Sequence, residues 1–235
     1  MILCLDAGNT RLKYGLGDGS GWRLQGALDY KAFADLPAKL PEKPTRIFAC
    51  NVAGEEVRLH IEALAAGLGL PLAWLTSAFA ACGVSNGYDN PRQLGADRWA
   101  ALIAARALHD GAAVVVMAGT ATTIDALDAK GLFRGGLILP GLALMRAALA
   151  SNTADLPHAA GRYQPQPTNT DDAIVSGAIH ATLGAIERMH GTLGDAALCL
   201  LSGGAAEDLA PHMSVPCRLI DNLVLEGLAV YSKAI

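Results

Sequence analysis

Three short stretches carry residues suited to moving a phosphoryl group. The chain starts MILCLDAGNTRLKYGL: an apolar run, Ile2 to Leu5, ends on the carboxylate Asp6. Ala7, Gly8, Asn9 and Thr10 follow, then Arg11, Leu12 and Lys13. Glycine lets a backbone approach a ligand without a Cβ, and the amides of a turn can form an anion-binding concavity. Asn9 and Thr10 add neutral donors. Asp6 would repel phosphate directly, so its use there runs through Mg²⁺ and its waters. An ordinary β-turn with an Asx cap is the competing reading. Arg11 and Lys13 alternate onto one strand face, where a phosphate contact and a solvated face are both open. The second stretch, VVVMAGTAT from Val114, places Gly119, Thr120, Ala121 and Thr122 after a similar apolar run. Two such loops could clamp the β- and γ-phosphates of a nucleotide.

The third stretch is NGYDNPRQLGADRWAALIAARAL. Asn86 to Gln93 is turn-rich, and a helix is expected from near Gly95, Ala96, Asp97 and Arg98 to His109. Asp97 in a first turn suits the helix dipole without any further role. Arg98 opposes that dipole, so it is a candidate for binding a carboxylate bidentately. Asp97 beside it could accept the proton of a hydroxyl being phosphorylated. A weaker signal is LSGGAA, Leu201 to Ala206, where Gly203 and Gly204 could let a flat base lie on the backbone. A tight strand-to-helix turn explains the same pair.

Repetition along the chain supplies the elements that must hold these residues. Leu3 to Thr10 resembles Val114 to Ala121, and each is followed by two strands around a turn, the second at Asp128 to Gly131. Helical stretches come next, Lys31 to Leu40 and Leu142 to Ala150. RIFACNVA and ALCLLSGGAA then read as strands, followed by helices (Glu55 to Gly67, Ala205 to His212) and short strands from Leu72 and Cys217. Each half closes with a helix, Ala96 to His109 and Leu223 to Lys233. Both halves read βββαβαβα, an α/β pattern of the size expected for small domains. The division expected is 1–110 and 111–235, the second half carrying a helical insertion at 151–190. Facing halves would leave a cleft, with hinge motion plausible near Asp110 and Gly111.

Composition narrows the function classes. The chain has 235 residues, 52% of them apolar, and a net charge of -4. No basic stripe suggests a nucleic-acid or anionic-membrane surface. The first apolar run is cut by Asp6, too short for a signal peptide, and no run approaches a membrane span of about 20 residues. The five cysteines, Cys4, Cys50, Cys82, Cys199 and Cys217, stand singly, which reads as core thiols in a reducing cytoplasm. The histidines lack metal-ligand spacing. His158, Arg162 and Tyr163 lie in a Pro/Gly-bearing stretch that reads as a surface connection, with a substrate lid as the other possibility.

Taken in order, DxGNT, GADR before an Ala-rich helix, GTATT after a strand, GGLILPG and NTDDAIVSG resemble the type III pantothenate kinases over nearly the whole chain. That family sits in the sugar kinase, actin and Hsp70 ATPase superfamily, so the resemblance implies duplicated ribonuclease-H-like domains. It also implies ATP-dependent phosphorylation of pantothenate, the first step of coenzyme A synthesis. Asp6 to Lys13 would be the first phosphate loop and Thr120 a second ATP contact, with Mg²⁺. Tyr88 and Gly95 to Arg98 would hold pantothenate, with Asp97 as proton acceptor. Thr170 would complete that site across a homodimer interface, and the helix Asp171 to Met189 is a candidate for forming it. The family usually carries aspartate at the start of the second loop and uses it to hold K⁺ or NH₄⁺. Met117 stands there in this chain, and a thioether is a poor ligand for a hard cation. The cation site is therefore expected to be weakened, absent or rebuilt. Two other readings compete: a small sugar or acetate kinase of the same fold, and a nucleotide-binding regulator that has lost catalysis. Met117 is the one feature favouring the regulator; Asp6, Asp97 and Arg98 argue against it.

Overall fold

The computed structural model describes residues 1–154, 156 and 160–235. Contacts gather these into two compact units. The first contains residues 1–110, 131–133 and 222–235, and the second contains 111–130 and 134–221.

In the first unit β1 (Ile2–Ala7), β2 (Leu12–Gly17) and β3 (Trp22–Leu28) form a meander, joined by β4 (Arg46–Asn51) and β5 (Leu72–Trp74). The sheet order is β3-β2-β1-β4-β5, with β2 antiparallel to β1 and β4 parallel to it. β1 is central, which is why Leu3, Cys4 and Leu5 form an unbroken apolar run rather than an alternating one. One face packs Leu3, Leu5, Leu12, Tyr14 and Leu16 against Val57, Ile61 and Ala65 of helix α2 (Glu55–Leu68). Burying each such leucine contributes about 2 kcal/mol. The helix expected over Lys31 to Leu40 is instead a 3₁₀ turn, Tyr30–Asp35, followed by a four-residue α1 (Leu36–Lys39). Pro37 sits at the start of α1 and has no N–H to continue a hydrogen-bond ladder from the preceding turn. A small hairpin, β6 (Ala80–Ala81) and β7 (Val84–Asn86), precedes α3 (Ala96–Leu108) and had no clear sequence signal. Its turn uses Cys82 and Gly83, both at positive φ.

The second unit repeats the plan with β8 (Ala113–Ala118), β9 (Ala121–Leu127), β10 (Leu132–Pro140) and α4 (Leu142–Asn152). Then come α5 (Thr170–Gly191), β11 (Leu198–Ser202), α6 (Ala206–Leu209) and β12 (Cys217–Leu219). These five strands are ordered β10-β9-β8-β11-β12, the order seen in the first unit. β8 again has one antiparallel neighbour, β9, and one parallel neighbour, β11. Val114, Val116, Ala118 and Ile124 pack against Ile174, Ala178, Ile179, Leu183 and Ile186 of α5.

The last helix, α7 (Leu223–Ser232), is grouped with the first unit, whereas the sequence division assigned it to the second half. Six of its residues, Leu223, Val224, Leu225, Gly227, Leu228 and Ala229, are buried, so it needs cover on most sides. It packs on α3 and on β1 and β4. A Cβ at Gly227 would lie 1.9 Å from the carbonyl oxygen of Ala100, so only glycine permits this helix approach. Trp22 Nε1 donates to Glu226 at 2.6 Å and ties α7 to β3. The first sheet is thus covered by α2 on one face and by α3 and α7 on the other.

Candidate active site

Parallel strands gather ligands at their carboxyl ends, and the first unit places its titratable residues there. Asp6 stands near the end of β1, opposite Lys13 of β2 and Cys50 of β4. Side chains opposite one another share a face, so Lys13, Asp6 and Cys50 form a row on the face that α3 covers. Asp6 is only 6% exposed. Burial pushes its carboxyl up to about 6, and the nearby charge of Asp97 pushes the same way, while Lys13 and the Cys50 thiol oppose the rise. The Cys50 Sγ donates to Asp6 Oδ1 at 3.6 Å. The turn after Asp6 is held at both ends: Gly8 N–H donates to the Arg11 carbonyl at 3.3 Å, and Tyr30 Oη donates to the Gly8 carbonyl at 2.5 Å. Ala7 and Leu12 are buried beneath it, while Asn9, Thr10 and Arg11 are exposed.

Helix α3 brings Asp97 into electrostatic range of Asp6. The Asp97 carboxylate accepts the Arg98 N–H at 2.8 Å, which fixes it against the helix start. A Cβ on Gly95 would come within 2.5 Å of Asp97 Oδ1, so the carboxylate lies in space that only glycine leaves open. Arg98 is 5% exposed. Its Nη1 donates to Tyr88 Oη at 3.1 Å, and its guanidinium lies 5.7 Å from the Tyr88 ring centre and 5.8 Å from that of Phe133. Tyr88 and Phe133 are themselves 5.1 Å apart. The fold therefore gathers Asp6, Lys13, Tyr88, Gly95, Ala96, Asp97 and Arg98 within one unit. Sequence reasoning missed Tyr30, Cys50 and Phe133. Cys50 had a usable signal, since it lies one residue before the end of the strand that pairs with β1; Tyr30 and Phe133 had none, because only packing brings them in. A cavity of about 450 Å³ adjoins Ala96, lined also by Asn51, Val52, Trp74 and Thr76.

In the second unit Met117 occupies the place that Asp6 has in the first, with Thr123 opposite on β9 and Ser202 opposite on β11. Thr120 is exposed, and its carbonyl accepts the Gly141 N–H at 2.9 Å, which pins the turn to the start of α4. Gly203 has φ +107, and a Cβ there would come within 2.4 Å of the Ala118 carbonyl oxygen. Its open side is thus taken by β8, and of the glycine pair only Gly204 has clear space around it. Thr170 opens α5, one residue earlier than the sequence suggested, and is exposed. Asn169 caps that helix by accepting the Asp172 N–H at 2.9 Å. His158 lies outside the described residues.

The donor sets differ in what they fit. Asp6 offers a hard oxygen beside a second carboxylate, a setting that a divalent cation relieves and that leaves its remaining ligands to phosphates and water. Among the described residues no group of three His, Cys, Asp or Glu forms a metal cage. The Met117 position has a thioether, a poor ligand for a hard cation, where the first unit has a carboxylate.

This double β-meander plan is that of the actin-like kinases and ATPases, each half a ribonuclease-H-like domain. A candidate 2-dehydro-3-deoxygalactonokinase from Sinorhizobium meliloti aligns with TM-score 0.67 at 15% identity, covering 100% of this chain and 99% of that one. A candidate Baf family transcriptional activator from Campylobacter jejuni aligns with TM-score 0.69 at 24% identity, covering 99% and 98%. Within that class the chain belongs to the type III pantothenate kinase family, whose sequence model matches residues 2–192. The type III pantothenate kinase of Aromatoleum aromaticum is 52% identical over 99% of this chain and 98% of its own. No helix among the described residues is long and apolar enough to cross a membrane.

Proposed function

We propose that this protein transfers the γ-phosphoryl group of ATP to the primary hydroxyl of pantothenate, giving 4′-phosphopantothenate. The family supports the reaction, and one observation carries the assignment of roles: Asp97, in the first turn of a buried helix, lies within electrostatic range of Asp6 and directly precedes Arg98, which bonds Tyr88. Pantothenate has both a hydroxyl to phosphorylate and a carboxylate to hold, which matches an aspartate beside an arginine. Asp97 orients the hydroxyl and accepts its proton. Arg98, stacked near two rings, offers its guanidinium to the carboxylate, and Tyr88 lines the acceptor side. Residues 6–13 wrap the phosphates through turn amides and Lys13, and Thr120 is a further ATP contact. Bound through Asp6, Mg²⁺ would neutralise phosphate charge. Thr170 completes the acceptor site from a second copy of the chain.

The deciding experiment is ADP release with ATP and Mg²⁺, with and without pantothenate. Release that requires pantothenate and falls about 10²–10⁴-fold in Asp97→Asn supports kinase and base together. ATP binding with no release under any cation would instead favour a regulator, with Met117 as the feature to examine.

A further inference from the structure

β11 and β12 run parallel, with Cys199 in register with Cys217. Residues in register on neighbouring strands share a face, which sets the two thiols side by side. Cys199 is fully buried, whereas Cys217 is half-buried on β12, the outermost strand of its sheet. The two thiols act on one another in opposite directions: the Cys217 thiol pushes Cys199 up, and the Cys199 thiol draws Cys217 down. The other thiols differ. Cys4 and Cys50 are buried in the first unit, and Cys82 stands in the β6–β7 turn; burial raises the pKa of all three. The chain thus contains one partly accessible thiol whose ionised form is stabilised, and its stabiliser is a second thiol.

We propose that Cys199 and Cys217 are a redox pair that a hydroperoxide converts into a disulfide. The Cys217 thiolate attacks the peroxide, the O–O bond breaks, and Cys217 becomes a sulfenic acid while the displaced oxygen leaves as water or alcohol. Cys199 sulfur then attacks the sulfenic sulfur, and its proton leaves with the hydroxide as water. One S–S bond forms, and the two thiols supply the two electrons that reduce the peroxide. Neighbouring strands hold in-register Cα atoms about 4.8 Å apart, inside the span of roughly 4.4–6.8 Å that a disulfide accepts. A bridge at a partly exposed edge strand is readily reduced by thiols, so the step is reversible. This inference goes beyond the kinase reading and does not depend on it.

The test uses the full chain, reduced and then treated with hydrogen peroxide, quenched with catalase and measured by intact mass before non-reducing digestion. Wild type is expected to lose about 2 Da, to yield a linked Cys199–Cys217 peptide, and to return to its starting mass with dithiothreitol. Cys82→Ser should behave like wild type. Cys217→Ser should lose the mass change completely. Cys199→Ser should gain oxygen on Cys217 instead of forming a bridge. A mass loss that survives in Cys217→Ser, a linked peptide joining other cysteines, or a wild type that stays reduced or only gains oxygen would each overturn the proposal.

Discussion

Asp6 is a carboxylate at the end of a buried strand, and its chemistry follows from that placement. Its carboxyl is raised from 3.8 to about 6, so it holds a proton more tightly in the folded protein than in the unfolded chain. Its favourable contribution to stability is therefore complete below pH 3.8 and is lost as pH rises through about 6. At neutral pH the buried charge costs at most about 3 kcal/mol. Asp6→Asn is expected to raise the melting temperature at pH 7–8, to leave it nearly unchanged near pH 3.5, and to abolish pantothenate-dependent ADP release. Thermal melts at both pH values check the sign. An equal gain at both would mean that something other than the ionised carboxyl is responsible. Asp6 and Lys13 were readable as candidates from residue type alone. Their direct opposition across β1 and β2 followed once the hairpin register was known. The third member of the row, Cys50, comes from a strand 44 residues further along and needed the sheet.

At the scale of elements, α3 does the positioning. Its Ala-rich sequence buries every residue from Arg98 to Ala105, so the helix is fixed on all sides and its first turn is held with it. Asp97 lies back over Gly95, and this local fit is sensitive to a single methyl group. Gly95→Ala would place a Cβ 2.5 Å from Asp97 Oδ1 and force the carboxylate aside. The expected outcome is a fall in kcat of about 10–100-fold with the KM for ATP little changed. Steady-state kinetics with both substrates varied separates this from general damage, which would weaken ATP use as well. The helix and its start were legible, because the GADR stretch follows turn signals and precedes a long run of alanine and leucine. The hairpin β6–β7 before it was not legible, because two-residue and three-residue strands carry no periodicity to read.

At the scale of the whole molecule the duplication sets the asymmetry between its halves. Equivalent strand ends carry Asp6 in one unit and Met117 in the other, so the second has no carboxylate at that position. Initial rates in K⁺-free buffer are expected to lie within about twofold of those with added K⁺ or NH₄⁺, because a thioether binds hard cations weakly. A steep rise with either ion would show that other groups rebuild the site. The proposed contribution of Thr170 to the active site of a second copy makes a separate prediction. Asp97→Asn and Thr170→Ala chains, each nearly inactive alone, should recover about a quarter of wild-type activity when unfolded together and refolded as random dimers. No recovery, with mixed dimers shown to form, would place Thr170 in the same subunit as its Asp97.

Local pattern was sufficient for the order of the longer strands and helices, the duplication, the two Gly-bearing loops and the pairing of an aspartate with an arginine. Each of these depends on neighbours within a few residues or on a repeat within the chain. Packing decided the rest. The closing helix α7 joined the first unit because its nearly all-apolar surface is buried by α3 and the first sheet, a contact no local signal encodes. The environment of Arg98 came from Tyr88 and Phe133, which meet it only after β7 pairs with the start of β10. The thiols of Cys199 and Cys217, apparently single in the sequence, became a pair because parallel strands bring residues from distant segments into register. Side-chain chemistry is written in residue type, but its partners are set by which distant surfaces must be buried together.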